Sequence, residues 1–376
     1  MVYLDYSATT PVNEEVLDSF AKSALNYPGN PNSLHKLGVD ANNLINEATE
    51  QIASLLKINS KEIIYTSGSS EANNAAIKGI CEKYQNRGKH IVTTNLEHSS
   101  IYGPIDYLVE HGFEVSFVDL DENGLVTIDN LKKVMRDDTI LVTIGAINSE
   151  VGIKQNIDEI GLFLKEYPKC FFHVDMTQAI GKIPVSLENV DLASFSAHKI
   201  FGLKGVGILY KKEKIELVPL IHGGKSTTIY RSGTPALPLI VSMAKALRLA
   251  LDNLDSKYNK IKELNDYLKF ELVKYANVRI NSNDYAIPNV LNISVLGVKP
   301  ETLQHALEKF EIYISTQTAC SSGSSVSKAV YAVTNDKDRA SSSVRISLSY
   351  LTTKEELDYF LDKFKICYDE LTSLGR

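Results

Sequence analysis

The chain has 376 residues, and at about 150 residues per domain that length predicts two to three domains, or one large domain with a smaller one attached. Its 44% hydrophobic and 23% charged residues exclude disorder and fibrous structure. With 40 Lys and Arg against 46 Asp and Glu, the net charge is −6, so no general positive field exists to hold phosphate backbones or an anionic bilayer, and neither nucleic acid nor membrane is expected as a partner.

The N-terminal Met1-Val-Tyr-Leu-Asp5 has no basic or apolar leader character, and no stretch approaches the roughly 18 apolar residues of a membrane helix. A cytoplasmic location is expected. The 4 cysteines, Cys81, Cys170, Cys320 and Cys367, are far apart with no CxxC pair, which argues against a disulfide framework and a thiolate zinc site.

Short β-rich runs alternate with helical segments along most of the chain, the pattern of an α/β protein with a largely parallel sheet. The runs are 62–66, 90–94, 114–119, 140–145, 171–175, 191–196 and 206–210, with helices predicted over 71–86 and 99–111. From Leu237 to about Tyr275 the apolar spacing predicts one long helix bridging to a second domain. Beyond it come a strand at 289–296, a helix at 299–310, a Ser-rich loop at 315–327, a strand at 343–348 and a last helix opened by Thr352, which with Glu355 fits a capping box.

Three segments could carry chemistry. Thr66-Ser-Gly-Ser-Ser70-Glu71 lies between a strand and a helix, where hydroxyls and free N–H groups cradle an anion, although Ser70 reads equally as a helix cap. Phe171-Phe-His-Val-Asp175 delivers a carboxylate to the C-terminal end of a strand, where it could pair with a cationic ring nitrogen or cap the next turn. Ser194-Phe-Ser196-Ala-His198-Lys199 and the glycines after it suit an amine held for Schiff-base chemistry, or an exposed Lys in a turn.

Together these segments resemble the cysteine desulfurases of the class V aminotransferase family, within the fold-type-I pyridoxal-phosphate enzymes. Further ordered matches are Tyr3 to Pro11, Gly29 to His35, Glu97-His98, His222-Gly-Gly224, Arg231 to Thr234, Thr318-Ala-Cys320 and Ser342 to Arg345. The resemblance implies an α/β fold with a large, mostly parallel-sheet domain covered by helices on both faces (13–250) and a smaller α+β domain (251–376, with 1–12 packed onto it).

It also implies residue roles. Lys199 would bond pyridoxal 5'-phosphate as an internal aldimine and move the α-proton. Asp175 would keep the ring nitrogen protonated, Gln178 would bond the ring hydroxyl, and His98 would stack on the ring and move protons. Ser69, Ser70, Ser196 and His198 would hold the phosphate, joined by Thr234 from the partner subunit of a homodimer with a shared active site. Arg345 would grip the substrate carboxylate, with Asn148 also binding substrate. Cys320 would take sulfur from L-cysteine as a persulfide, leaving alanine, for a sulfur-acceptor protein in iron–sulfur cluster assembly or tRNA thiolation.

Two departures stand out. The family usually has two Asn before its Glu-x-Gly element, but here Asn148 is followed by Ser149, which keeps a hydroxyl at the ring with shorter reach. The loop after Cys320 is also compact, Ser321 to Lys328. The rival readings are a selenocysteine lyase or another class V enzyme, and a low-activity sulfur-transfer scaffold. Cys81, Cys170 and Cys367 are expected to be inert.

Overall fold

The computed structural model describes residues 1–316 and 326–373. In chain order its strands are β1 (Val2–Tyr3), β2 (Ile63–Thr66), β3 (His90–Thr93), β4 (Glu114–Phe117), β5 (Thr139–Gly145), β6 (Phe171–Asp175), β7 (Leu192–Ser196), β8 (Gly207–Lys211), β9 (Val278–Ile280), β10 (Val290–Val295), β11 (Ile312–Tyr313) and β12 (Ser343–Ser347). The helices are α1 (Glu14–Asn26), α2 (Lys36–Leu56), α3 (Ser69–Tyr84), α4 (Ser99–Glu110), α5 (Ile128–Val134), α6 (Ile157–Leu164), α7 (Leu237–Leu251), α8 (Leu254–Leu272), α9 (Pro300–Glu308), α10 (Lys328–Thr334), α11 (Lys337–Ser341) and α12 (Lys354–Ser373).

The seven strands expected from the apolar runs form one sheet, ordered β2-β8-β7-β6-β5-β3-β4. It is mostly parallel. Only β8 runs against its neighbours, β2 and β7. Side chains alternate across a strand, and here both faces are apolar: Ile91, Leu141, Leu192 and Leu209 pack with residues of α3 and α4. Their successors or predecessors Val92, Val142, Ala193 and Ile208 pack with α2, α6 and α7. That double burial explains why the inner strands read as apolar runs, whereas the edge strand β4, Glu-Val-Ser-Phe, is exposed or half-buried along its length. α2 joins through Ala41, Ile45, Ala48, Ile52 and Leu56, a single stripe at helical spacing.

A second core lies around an antiparallel sheet ordered β12-β10-β9, with α8, α9 and α12 packed on it. The N-terminal segment belongs to both parts. β1 pairs with β11 in parallel, and Asp5 bridges to Ser347 of β12. Further on, Thr10 N–H and Oγ1 both donate to the His198 carbonyl at 2.9 Å, and Asn13 N–H donates to Phe201 O at 2.9 Å. Residues 7–13 are thereby laid against the turn that carries Lys199.

Two local expectations are corrected. The helix predicted from Leu237 to Tyr275 is two helices, because Asp252 is extended and Asn253 takes the left-handed conformation at φ 51°, which Asn tolerates better than most residues. The break separates α7, in the first core, from α8, in the second. The capping box sits one residue later than expected. Thr353 N–H donates to Glu356 Oε2 at 3.0 Å, and Glu356 N–H donates to Thr353 Oγ1 at 3.2 Å. Thr352 is fully buried and accepts from Ser349 N–H instead.

Candidate active site

At the C-terminal ends of β5, β6 and β7, where open α/β sheets bind ligands, lies a cavity of about 250 Å³. Its wall includes Ser69, Ser70, His98, Ser149, Asp175, Gln178, His198, Lys199 and Arg345. Residues spread over 277 positions of sequence are thus brought to one concavity. A larger surface groove, about 930 Å³, is lined by Phe171 and Asp191 at the opposite ends of the strands and contains none of these groups.

The anion cradle begins at α3. Its N-cap position is Gly68, with no side-chain cap, so Ser70 is not the cap. The first-turn N–H groups of a helix have no intrahelical acceptor, and the helix dipole favours an anion there. Close backbone packing builds this corner: a Cβ on Gly207 would meet the Gly68 backbone at 2.7 Å, and one on Gly68 would face Ser196 Oγ at 3.6 Å. Ser196 is buried at the end of β7 and is not on the cavity wall. Glu71 accepts from Ser67 N–H at 2.7 Å and from Arg231 Nε at 3.0 Å, tying the segment that carries Thr234 to α3. Thr234 itself is exposed and does not line this cavity.

Asp175 ends β6. Its Oδ1 accepts from Thr177 N–H at 2.9 Å, and its Oδ2 accepts from Asn73 Nδ2 at 2.8 Å. Asn73 also donates to Ser100 Oγ at 2.8 Å, and that hydroxyl lies 2.8 Å from His98 Nδ1. Ser100 N–H donates to the same Nδ1 at 3.2 Å, so Nδ1 is an acceptor and the proton of the neutral ring sits on Nε2. Burial lowers the pKa of His98, which keeps the ring neutral. His198 is pushed down to about 4 by burial, with Lys199 acting in the same direction, and its Nδ1 is 3.1 Å from Thr9 Oγ1.

Lys199 Nζ donates to the carbonyls of Ser7 at 2.6 Å and Ala8 at 2.7 Å. Two residues on, Phe201 holds φ 62°, a costly conformation for a bulky residue. It is supported by a 2.7 Å bond from its N–H to Thr10 Oγ1 and by the ring of Tyr350, 4.8 Å away. Arg345 is 2% exposed, with Nη1 on the Ser149 carbonyl at 3.0 Å. Asn148 does not line the cavity. Its Nδ2 donates to Leu96 O at 2.7 Å and its Oδ1 accepts from Glu150 and Val151 N–H, shaping the turn that presents Ser149. Cys320 lies outside the described residues. Cys81, Cys170 and Cys367 are buried, and burial raises the pKa of each thiol.

Sequence reasoning gave no role to Asn73, to Glu97 or to the Ser7 and Ala8 carbonyls. Glu97 lines the cavity, with burial pushing its pKa up to about 7. A Cβ at Gly145 would meet its Oε2 at 3.1 Å. A polar residue such as Asn73 on the apolar face of α3, fully buried, is the kind of signal that could have found the first of these.

Residues 2–360 match the aminotransferase class-V family. The chain is 39% identical to cysteine desulfurase IscS of Dictyoglomus turgidum, over 100% of this chain and 96% of that protein. It is 36% identical to the mitochondrial cysteine desulfurase of Eremothecium gossypii, over 96% of this chain and 74% of that one. Among solved structures, a NifS-like protein superposes with a TM-score of 0.93 at 36% identity, covering 98% of this chain and 99% of the other. SspA in complex with cysteine superposes with a TM-score of 0.82 at 30% identity, covering 94% and 100%. The chain belongs to the aminotransferase class-V family.

Proposed function

We propose that this chain is a pyridoxal-phosphate-dependent cysteine desulfurase that converts L-cysteine to L-alanine and holds the sulfur as a persulfide on Cys320. The observation that carries the reading is the convergence of Lys199, Asp175 and His98 on one cavity in a chain similar over its full length to cysteine desulfurases.

The residues present fit the cofactor. The uncapped start of α3 with Ser69 and Ser70 offers donors to a phosphate. Asp175 offers a carboxylate to a protonated ring nitrogen, and Thr177 Oγ1, from a residue on the cavity wall, has no partner among the described residues. When bound, the cofactor supplies an electron sink for the bond-breaking at the amino acid.

The chain supplies the rest. Lys199 brings the amine, held at the cavity by the Ser7 and Ala8 carbonyls. Asn73 orients both the Asp175 carboxylate and, through Ser100, the His98 ring, so that Nε2 carries the movable proton. Arg345 is a fixed cation for the substrate carboxylate, and Asn148 serves substrate binding by shaping the Ser149 turn. The thiolate of Cys320 would attack the substrate sulfur, forming an S–S bond as the substrate C–S bond breaks; the electron pair of that bond stays with the carbon fragment, which is protonated and leaves as alanine, and the persulfide passes to an acceptor protein in iron–sulfur cluster assembly or tRNA thiolation.

We further propose two domains, 13–250 and 251–376 with the N-terminal residues added to the second, in a cytoplasmic homodimer. The exposed apolar side chains Leu25, Leu34, Leu37 and Ile229 support a covering partner. Thr234, away from its own cavity, would complete the phosphate site of the other subunit.

The test is alanine formation from L-cysteine in the presence of a reductant, with the visible spectrum recorded as cysteine is added. A yellow protein whose absorption band shifts with L-cysteine, and which releases alanine, is expected. A colourless protein that binds no pyridoxal 5'-phosphate would overturn the assignment.

A further inference from the structure

Lys182 is a buried amine with no part in the chemistry described above. Its ammonium end is enclosed, and burial, helped by Lys199 and Arg345, pushes its pKa down to about 7. With Ser7 and Lys199 it lines a small pocket of about 40 Å³, and both of those residues also line the main cavity.

What it touches is specific. Lys182 Nζ donates to Oε1 of Gln178. In its charged form a lysine amine has donors and no acceptor, so only the oxygen of the amide can face it. The nitrogen must then point the other way, and it does: Gln178 Nε2 donates to Ser7 O at 3.0 Å, the same carbonyl that accepts from Lys199. An amide nitrogen carries two hydrogens. Ser7 takes one, and Gln178 stands on the cavity wall.

We propose that Lys182 is a positioning residue: it pins the Gln178 amide so that this edge of the cavity presents N–H donors rather than a carbonyl oxygen, an edge suited to an anionic oxygen on an aromatic ring. The inference rests on the cofactor reading above and adds to it the residue that sets the polarity of one wall. Without that donor, the amide can turn its oxygen inward, and an oxyanion there meets a second acceptor.

The probe is pyridoxal 5'-phosphate itself, titrated into the cofactor-free full-length chain to give an equilibrium dissociation constant, with thermal melting of each cofactor-free variant as the folding control. Lys182→Met and Lys182→Gln are the two loss variants. Methionine removes a buried charge and keeps the length, which a fold generally tolerates. Each is expected to weaken cofactor binding about three- to tenfold, the range for one hydrogen bond. Lys182→Arg, which can only donate, should stay within about twofold of the wild type. In a Gln178→Ala background, Lys182→Met should cause no further loss, because residues acting as one unit are not additive.

Unchanged binding in both loss variants, or the same loss with and without Gln178, would overturn the proposal. The second result would mean that the charge of Lys182 acts on the ligand directly. Failure of the wild-type chain to bind the cofactor at all would remove the cofactor reading and this inference with it, a result distinct from the other two.

Discussion

Nη2 of Arg345 donates to Oδ1 of Asp5 at 2.8 Å, joining residues 340 positions apart. With Nη1 on the Ser149 carbonyl, one buried guanidinium ties the N-terminal segment, the turn after β5 and β12 together. Among the described residues Arg345 Nε, itself buried, has no hydrogen-bond partner.

Removing Asp5 leaves that buried cation unpaired. Asp5→Ala is expected to lower unfolding stability by about 3 kcal/mol, read as a shifted midpoint in urea. Asp5→Asn, which can still accept through its carbonyl oxygen, should lose less. Equal stability of Asp5→Ala and wild type would show that the pair contributes nothing net.

Lys199→Ala should abolish alanine formation while leaving some cofactor bound without a covalent link, because the α3 cradle and Asp175 are untouched. Reduction with borohydride followed by mass spectrometry should fix the cofactor to the wild-type chain and not to the variant. Turnover at the wild-type rate would count against Lys199.

Much of this was legible from sequence because it is local. Six strands of the large sheet are buried on both faces, which leaves little polar alternation to obscure them, while the edge strand β4 is partly exposed; Lys199, Asp175 and Ser69 follow at strand ends and a helix start. Relationships between distant segments were not legible. Nothing near Asp5 announces Arg345, and nothing near Asn73 announces Asp175. The break at Asn253 was missed because apolar spacing continues through it. Thr352 and Thr353 are equivalent as letters, and only the burial of Thr352 decides which one caps the last helix.

Ser149→Asn tests the departure from the family pattern. If the short side chain leaves a gap at the ring, the longer amide should raise cysteine turnover or lower the KM. A large loss of activity would mean that the wall has repacked around Ser149.

Acid stability carries opposing signs. Glu97 is raised from 4.5 to about 7, so between those values the folded chain holds a proton that the unfolded chain has lost, and this group's stabilising effect fades as pH rises through the window. His173 and His198 are lowered from 6.5 to about 4; the unfolded chain holds their protons first, so their effect is lost as pH falls from 6.5 to 4. Glu97→Gln removes the opposing contribution. Melting temperatures of the variant should therefore gain on the wild type as pH rises from 5 to 7. A difference independent of pH would show that Glu97 titrates as an ordinary carboxylate.

Sulfur transfer to Cys320 has a direct readout. Brief exposure of the holoenzyme to L-cysteine, alkylation, and peptide mass spectrometry should place one extra sulfur on Cys320, because Cys81, Cys170 and Cys367 are buried with raised thiol pKa values and only a thiolate attacks sulfur readily. Cys320→Ser should still bind the cofactor and change its spectrum with L-cysteine, yet release almost no alanine. A persulfide found mainly on another cysteine, or near-normal alanine release by Cys320→Ser, would remove Cys320 from the chemistry.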